Sequence, residues 1–220
     1  MSVYIFRQIA SARIDEMTEA QFASFCSGCR EVFDLMRGDV DLSGRRDYDA
    51  CLEAARVLRG RGGFLRFLLR PLADLTREDY MYPLGTDMQL VHWDFTQKNF
   101  GFAGDALAMI LDFDDLDTGS PVEPLAYLAA QSLRGEGIRH GWRRRLVRRL
   151  QVLRDVFARP EAEWIVAFQR VRLRDAAFAF EKHPKGGWRV AFSLWRSDLR
   201  LRWLMRATGF QTMVASNSRA

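Results

Sequence analysis

Residues 90–126, LVHWDFTQKNFGFAGDALAMILDFDDLDTGSPVEPLA, contain the most informative polar pattern in the chain. His92, Asp94 and Asn99 form an H-x-D-x-x-x-x-N frame, and Asp112 begins a D-F-D triplet after an apolar run. Asp and Asn are common loop residues that hydrogen-bond their own backbone, so such a frame has meaning only in a suitable context. The flanking segments therefore decide its interpretation.

Apolar segments around the frame predict short strands. Residues 88–91 predict a strand that enters the polar loop, and residues 100–102 predict one that leaves it. Residues 106–111 predict the hairpin partner of the second strand, across a turn at 103–105. The expected order is strand, polar loop, strand, turn, strand, acidic loop, which places both polar segments at strand ends.

This arrangement resembles the catalytic and metal-binding loops of the aminoglycoside and choline phosphotransferase superfamily, which has a protein-kinase-like fold. Trp93 after the His, and D-F-D in place of D-F-G, make it more similar to that superfamily than to ordinary protein kinases. Phosphoryl transfer needs one carboxylate beside the incoming hydroxyl, plus an amide oxygen and a second carboxylate that hold magnesium against the nucleotide phosphates. The resemblance implies ATP and Mg as cofactors.

The resemblance also implies a role for each matching residue. Asp94 would be the catalytic base or would orient the acceptor hydroxyl, and Asn99 and Asp112 would be the metal ligands. His92 would give structural support to the loop, and Leu111 would form part of the apolar floor beneath adenine, a cofactor-binding role.

Three further acidic residues follow the metal-binding position. Asp114, Asp115 and Asp117 are predicted to be solvated carboxylates of a continuing loop. The functional alternative is a patch that helps to bind metal or a cationic substrate. Glu123 lies one place before the acidic position usual in the superfamily, and it is the candidate for the carboxylate that braces the next helix.

The rest of the chain predicts helices. Periodic apolar residues indicate helices over 18–36, with a capping box from Thr18 to Gln21, and over 47–59, 142–157, 161–180 and 188–205. Residues 64–70 predict another helix, which stops at Pro71. Cys26 and Cys29 form C-S-G-C within the first helix, and core packing is favoured over a redox pair because no βαβ pattern follows.

The predicted fold class is α+β, mainly α: the large C-terminal lobe of a kinase-like fold, whose small β-hairpins carry the catalytic and metal loops. The expected parts are a hinge-like strand at 1–8, the lobe at 9–210 and a mobile tail at 211–220. We expect the N-lobe to be absent, because no Lys precedes Lys98. The chain would then be a fragment, a lobe completed by another polypeptide, or a degenerate relative kept for binding.

The amino-acid composition argues against a disordered chain and against a membrane-spanning protein. With 48% hydrophobic and 28% charged residues, the chain is not of the disordered type. No apolar run approaches the roughly 20 residues that a membrane helix needs, and the apolar core of the first residues is shorter than we expect for a secretory signal. The sequence therefore predicts a cytoplasmic protein that has no membrane partner.

The formal charge of +5 comes from an arginine-rich sequence. Arg143, Arg144, Arg145, Arg148 and Arg149 surround the apolar face of the helix predicted at 142–157. Such a face could bind nucleic acid, but no stacking aromatics interleave with it, so a solvent-facing basic helix is favoured and nucleic acid is not expected as a partner.

The leading functional hypothesis is an ATP- and Mg-dependent phosphotransferase that acts on a hydroxyl of a small molecule. A protein acceptor is less favoured, because Thr96 stands where Ser/Thr protein kinases usually carry Lys. The chain would then be a fragment that lacks its N-lobe, or a further chain would supply the N-lobe. The alternatives are a non-catalytic kinase-like binding or regulatory module, and an anion- or nucleic-acid-binding protein that uses the Arg-rich helix.

Overall fold

A computed structural model describes residues 11–37, 48–60, 63–133, 141–183 and 187–210. Over these residues the protein is mainly helical, with seven α-helices and two small antiparallel sheets. The predicted α+β, mainly α class is therefore confirmed. The strand predicted at 1–8 and the tail predicted at 211–220 lie outside the described residues.

The bounds of the elements follow the sequence pattern closely. The helices are α1 (Glu19–Leu35), α2 (Tyr48–Gly60), α3 (Gly63–Ala73), α4 (Val122–Ser132), α5 (Trp142–Phe157), α6 (Glu161–Lys182) and α7 (Trp188–Ala207). The strands are β1 (Gln89–His92), β2 (Phe100–Ala103), β3 (Ala106–Ile110) and β4 (Leu116–Gly119). β1 pairs with β4, and β2 pairs with β3. None of the described helices has the length and apolar composition required to cross a membrane.

The described residues divide into two compact units. The first contains α1, α4, α5 and all four strands, from residues 11–37, 87–133 and 141–158. The second contains α2, α3, α6 and α7, from residues 48–60, 63–86, 159–183 and 187–210. The H-x-D-x-x-x-x-N frame and Asp112 both belong to the first unit.

Helix α1 begins at the predicted capping box and supplies the aromatic core of the first unit. The Gln21 amide donates to Thr18 Oγ1, and the Thr18 amide donates to Gln21 Oε1, each at 3.0 Å. Phe25 packs against Phe95 and Phe100, with ring centroids 6.1 and 5.3 Å apart. Phe95 lies within the polar frame, so the loop that carries the predicted catalytic residue is anchored in the hydrophobic core.

The two cysteines of α1 are packing residues, as predicted. Cys26 and Cys29 are free thiols and both are buried. Burial raises the pKa of Cys26 to about 11, and it raises the pKa of Cys29 well above its usual value. Since the thiolate is the reactive form, both side chains are inert at neutral pH.

Arg149 is buried, so its predicted place on a solvent-facing surface of α5 is wrong. Its guanidinium donates to the carbonyl oxygens of Ile14 and Met17 at 3.0 and 2.5 Å, and it lies 4.6 Å from the centre of the Phe22 ring. Glu19 approaches it at 3.4 Å. The planar fork of donors satisfies carbonyls of the segment that leads into α1. Helical periodicity cannot reveal such a role, because the partners lie far away in sequence.

Helix α3 continues through Pro71 to Ala73, so the predicted stop at Pro71 is wrong. A proline inside a helix costs about 3 kcal/mol, because it removes a hydrogen bond and clashes with the preceding turn. Two features offset this cost. Leu72 and Ala73 are buried, and burying a leucine side chain contributes roughly 1.5–3 kcal/mol. Arg172 of α6 donates to the Pro71 carbonyl at 2.8 Å, and it also pairs with the buried Asp198 of α7.

We expect Arg149→Met to lower the free energy of unfolding by about 2 kcal/mol or more, because it leaves two carbonyls without their charged donor. The aliphatic part of the side chain is retained, so lost packing contributes little. Urea denaturation followed by circular dichroism measures the effect. Arg148→Met is the matched control on the exposed surface of the same helix, and we expect a change within about 0.5 kcal/mol. Equal effects of the two substitutions would contradict the structural role of Arg149.

Candidate functional site

The polar frame forms a short loop between β1 and β2 that is closed by its own backbone. The Thr96 amide donates to the Asp94 carbonyl at 2.8 Å, and the Asn99 amide donates to the Thr96 carbonyl at 3.0 Å. A single 3-10 turn covers Gln97–Asn99. The chain therefore passes from β1 to β2 through one tight loop, and this loop brings the two ends of the frame together.

Asn99 is bonded directly to Asp94. Asn99 is buried and Asp94 is half-buried. The Asn99 Nδ2 group donates to the Asp94 carbonyl oxygen at 2.7 Å and lies 3.3 Å from Asp94 Oδ2. The Asn99 Oδ1 atom accepts no hydrogen bond from any described residue, so it keeps both lone pairs for a ligand.

The backbone of Leu111 joins the acidic loop to the frame. Its amide donates to the Asn99 carbonyl at 2.6 Å. Its carbonyl oxygen lies 2.7 Å from His92 Nε2, which must carry the proton because a carbonyl only accepts. The frame therefore holds both backbone polar groups of Leu111. Asp112 follows Leu111 directly in the chain.

His92 is a fully buried side chain between the two loops. Its ring centroid lies 4.9 Å from that of Phe113 and 5.6 Å from that of Phe95. Phe113 is the central residue of the D-F-D triplet, and no separate role was predicted for it. A residue that supports the catalytic loop needs contacts of this kind. The role predicted for His92 stays a prediction, which this geometry favours.

Asp112 is exposed and has an unusual backbone conformation. Its φ of 65° makes it one of two non-glycine residues with positive φ among the described residues, the other being Ala158. Residues other than glycine rarely adopt a positive φ, because this backbone conformation costs energy. Residues that do adopt it are concentrated at functional sites. The chain thus holds Asp112 in a strained position, with its carboxylate open to solvent, directly after the Leu111 junction.

Leu111 itself, the predicted floor beneath adenine, is 49% exposed. Phe113 and Leu116 are also partly exposed, at 39% and 41%. Exposed apolar side chains therefore stand on both sides of Asp112 in the chain. Side chains of this kind could contact a flat ligand such as a nucleotide base.

The prediction that the residues after Asp112 form one solvated loop is wrong. Asp114 is exposed and Asp115 is half-buried, but Asp117 is buried in β4, where it lies opposite Val91 of β1. Asp117 Oδ1 accepts the Thr118 amide at 2.7 Å. The strand was missed because its sequence, L-D-T-G, has few strand-forming residues and owes its conformation to its pairing with β1.

Glu123 lies in the first turn of α4 and is 3% exposed. Its amide donates to the Ser120 carbonyl at 2.9 Å. A Cβ atom at Gly119 would overlap Glu123 Oε2, so the glycine allows the carboxylate to approach the end of β4. Glu123 Oε2 therefore lies against the end of β4, a position that favours the bracing role, which stays a prediction.

The oxygen atoms of Asn99 and Asp112 suit magnesium bound to a nucleotide. Among the described residues, no group of three or more His, Cys, Asp and Glu side chains is placed to hold a metal ion. Magnesium usually needs only one or two protein oxygens, because water and substrate phosphates complete its octahedron. The amide oxygen of Asn99 and the exposed carboxylate of Asp112 are donors of the right chemistry for such a site.

Comparison with known proteins offers no independent assignment, because no protein-family model matches the chain and no curated protein is significantly similar to it. The sequence frame and its geometry are the basis for any functional interpretation.

We expect Asp112→Gly to be more stable than Asp112→Ala by about 1 kcal/mol, because only glycine adopts positive φ without steric cost. Chemical denaturation of the two variants measures the difference. The Asp114 pair is the matched control: its φ is not positive, so Asp114→Gly should be no more stable than Asp114→Ala. The same preference for glycine at both positions would show that Asp112 is not strained.

Proposed function

We propose that this protein is a kinase-like phosphotransferase lobe that catalyses ATP- and Mg-dependent phosphoryl transfer to a hydroxyl of a small molecule. One observation carries the proposal. Leu111 is hydrogen-bonded through its amide to Asn99 and through its carbonyl to His92. The backbone just before Asp112 is thereby bonded to the frame that contains Asp94 and Asn99, which supports the proposal that the three residues act together.

The chemistry of each residue follows from its environment. Asp94 is half-buried, and a carboxylate in this position would accept the proton of the acceptor hydroxyl or orient it toward the phosphate. Asn99 donates through Nδ2 to Asp94 and offers Oδ1 to the metal, so the base and the metal would be held at a constant separation. Asp112 would be the second metal ligand. When bound, Mg–ATP supplies the phosphoryl group and neutralises its charge.

The nucleotide phosphates also need a cradle. In the kinase-like fold a glycine-rich loop and a strand Lys of the small lobe provide it, whereas the first Lys of this sequence is Lys98. The complete reaction therefore needs an N-lobe, which either a longer form of this chain or another polypeptide would supply. The same feature favours the second candidate function, a non-catalytic binding or regulatory module that retains the site.

We expect the folded chain to bind ATP more tightly with magnesium than without it, because Asn99 and Asp112 would share the metal with the phosphates. Isothermal titration calorimetry with and without Mg²⁺ measures this. Asp112→Asn should remove most of the magnesium-dependent gain, since it replaces a carboxylate by a neutral amide. Asp114→Asn, its exposed neighbour, should leave the gain unchanged. A folded chain without affinity for ATP would defeat the phosphotransferase proposal for this polypeptide.

We expect Asp94→Ala to lower phosphate transfer by roughly 10²–10⁴-fold, the usual effect of losing a general base, while ATP binding remains. The measurement is ATP consumption in the presence of hydroxyl-containing small molecules. Asp114→Ala serves as the control and should retain activity. Turnover that is unchanged in Asp94→Ala would remove Asp94 from its proposed role. ATP binding without turnover in the unmodified protein is the behaviour expected both of a lobe that lacks its phosphate cradle and of the non-catalytic module.

A further inference from the structure

Helix α7 is apolar on two opposite sides. One side is buried in the second unit, through Ala191, Leu194, Leu201, Leu204 and Met205. At about 100° per residue, Trp188, Phe192, Leu199 and Trp203 fall within a sector of roughly 60° on the other side. Their exposed fractions are 62%, 40%, 46% and 36%. The outer side of a surface helix is normally polar, so this row, the α7 stripe, requires an explanation.

Arginines border the α7 stripe, and no exposed carboxylate of the helix accompanies them. Arg189 and Arg196 lie on one side of it and Arg206 lies near its end; all three are exposed. The single acidic residue of α7, Asp198, is buried and paired with Arg172 and Arg202. The outer surface of the helix is therefore both apolar and cationic over its whole length.

We propose that the α7 stripe binds an anionic lipid surface, with the helix lying parallel to the membrane. Large apolar side chains flanked by arginine are what an interfacial helix needs, because the rings enter the headgroup boundary while the guanidinium groups meet lipid phosphates. A helix of 20 residues would present about 30 Å of such a surface. The expectation of no membrane partner rested on the lack of a spanning segment, which surface attachment does not require.

A lipid surface fits the α7 stripe better than a second copy of the chain or a single-stranded nucleic acid does. A second copy of the chain would bring arginines against arginines, which opposes pairing of two identical faces. Single-stranded nucleic acid would stack its bases on exposed ring faces. The Arg189 guanidinium lies 5.6 Å from the centre of the Trp188 ring and covers one of its faces. A lipid surface satisfies the arginines and the apolar side chains without needing a free ring face.

Vesicle co-sedimentation of the full chain tests the proposal. We expect binding to phosphatidylcholine vesicles that contain phosphatidylserine, little binding to phosphatidylcholine alone, and a loss of binding as salt is raised. Phe192→Glu with Leu199→Glu should weaken binding by about tenfold or more, since both apolar contacts are lost. Circular dichroism should show an unchanged fold, because both positions are exposed.

Charge reversal provides a second test with a matched control. Arg196→Glu with Arg206→Glu should weaken binding to phosphatidylserine vesicles by about tenfold or more, at roughly 1 kcal/mol per basic residue. Arg144→Glu with Arg148→Glu changes the net charge equally on α5 and should have a much smaller effect. Equal losses in the two double variants, or no binding to the anionic vesicles, would overturn the proposal. Binding to a single-stranded oligonucleotide without binding to vesicles would also overturn it.

Discussion

The two hydrogen bonds of the Leu111 backbone hold the candidate site together. The amide binds the Asn99 carbonyl and the carbonyl accepts from His92, at 2.6 and 2.7 Å. Residue 111 is thereby tied to both ends of a frame that begins 19 positions earlier in the chain. The next residue is Asp112, whose φ of 65° lies in the left-handed region that side chains disfavour. A rigid junction of this kind positions a carboxylate without any direct bond to it.

The hydrophobic core gives this junction its rigidity. Phe95 lies in the middle of the polar loop, yet it packs on α1 beside Phe25 and Phe100. His92 is buried next to it and contacts Phe113 on the other loop. Within the frame, Asp94 lies between the buried residues Trp93 and Phe95, and Asn99 is followed by the buried Phe100, so both polar residues have neighbours that are fixed in the core. Preorganisation of this kind is what phosphoryl transfer requires of a protein, since positioning and charge stabilisation supply most of the catalysis.

Buried arginines bind backbone carbonyls in both units. In the first unit Arg149 binds carbonyls before α1, and in the second unit Arg172 binds the carbonyl of Pro71. Each guanidinium donates to backbone carbonyls, those of the segment before α1 in the first unit and that of Pro71 in the last turn of α3 in the second. The arginine-rich composition is therefore partly structural. The exposed arginines of α7 are different, because they border an apolar row and have no acidic neighbour on the outer surface of the helix.

The amino-acid sequence determined most of the secondary structure. Helical periodicity, the Thr18 capping box and the glycine turn at 103–105 are local signals, and the elements they predict are present. The polar frame also supplied the candidate site residues Asp94, Asn99 and Asp112, and their roles stay predictions. Tertiary structure decided the rest: strand β4 with its buried Asp117, the burial of Arg149, and the passage of α3 through Pro71. Each of these depends on a partner that is distant in sequence, and such partners leave no periodic signal in the segment that they stabilise.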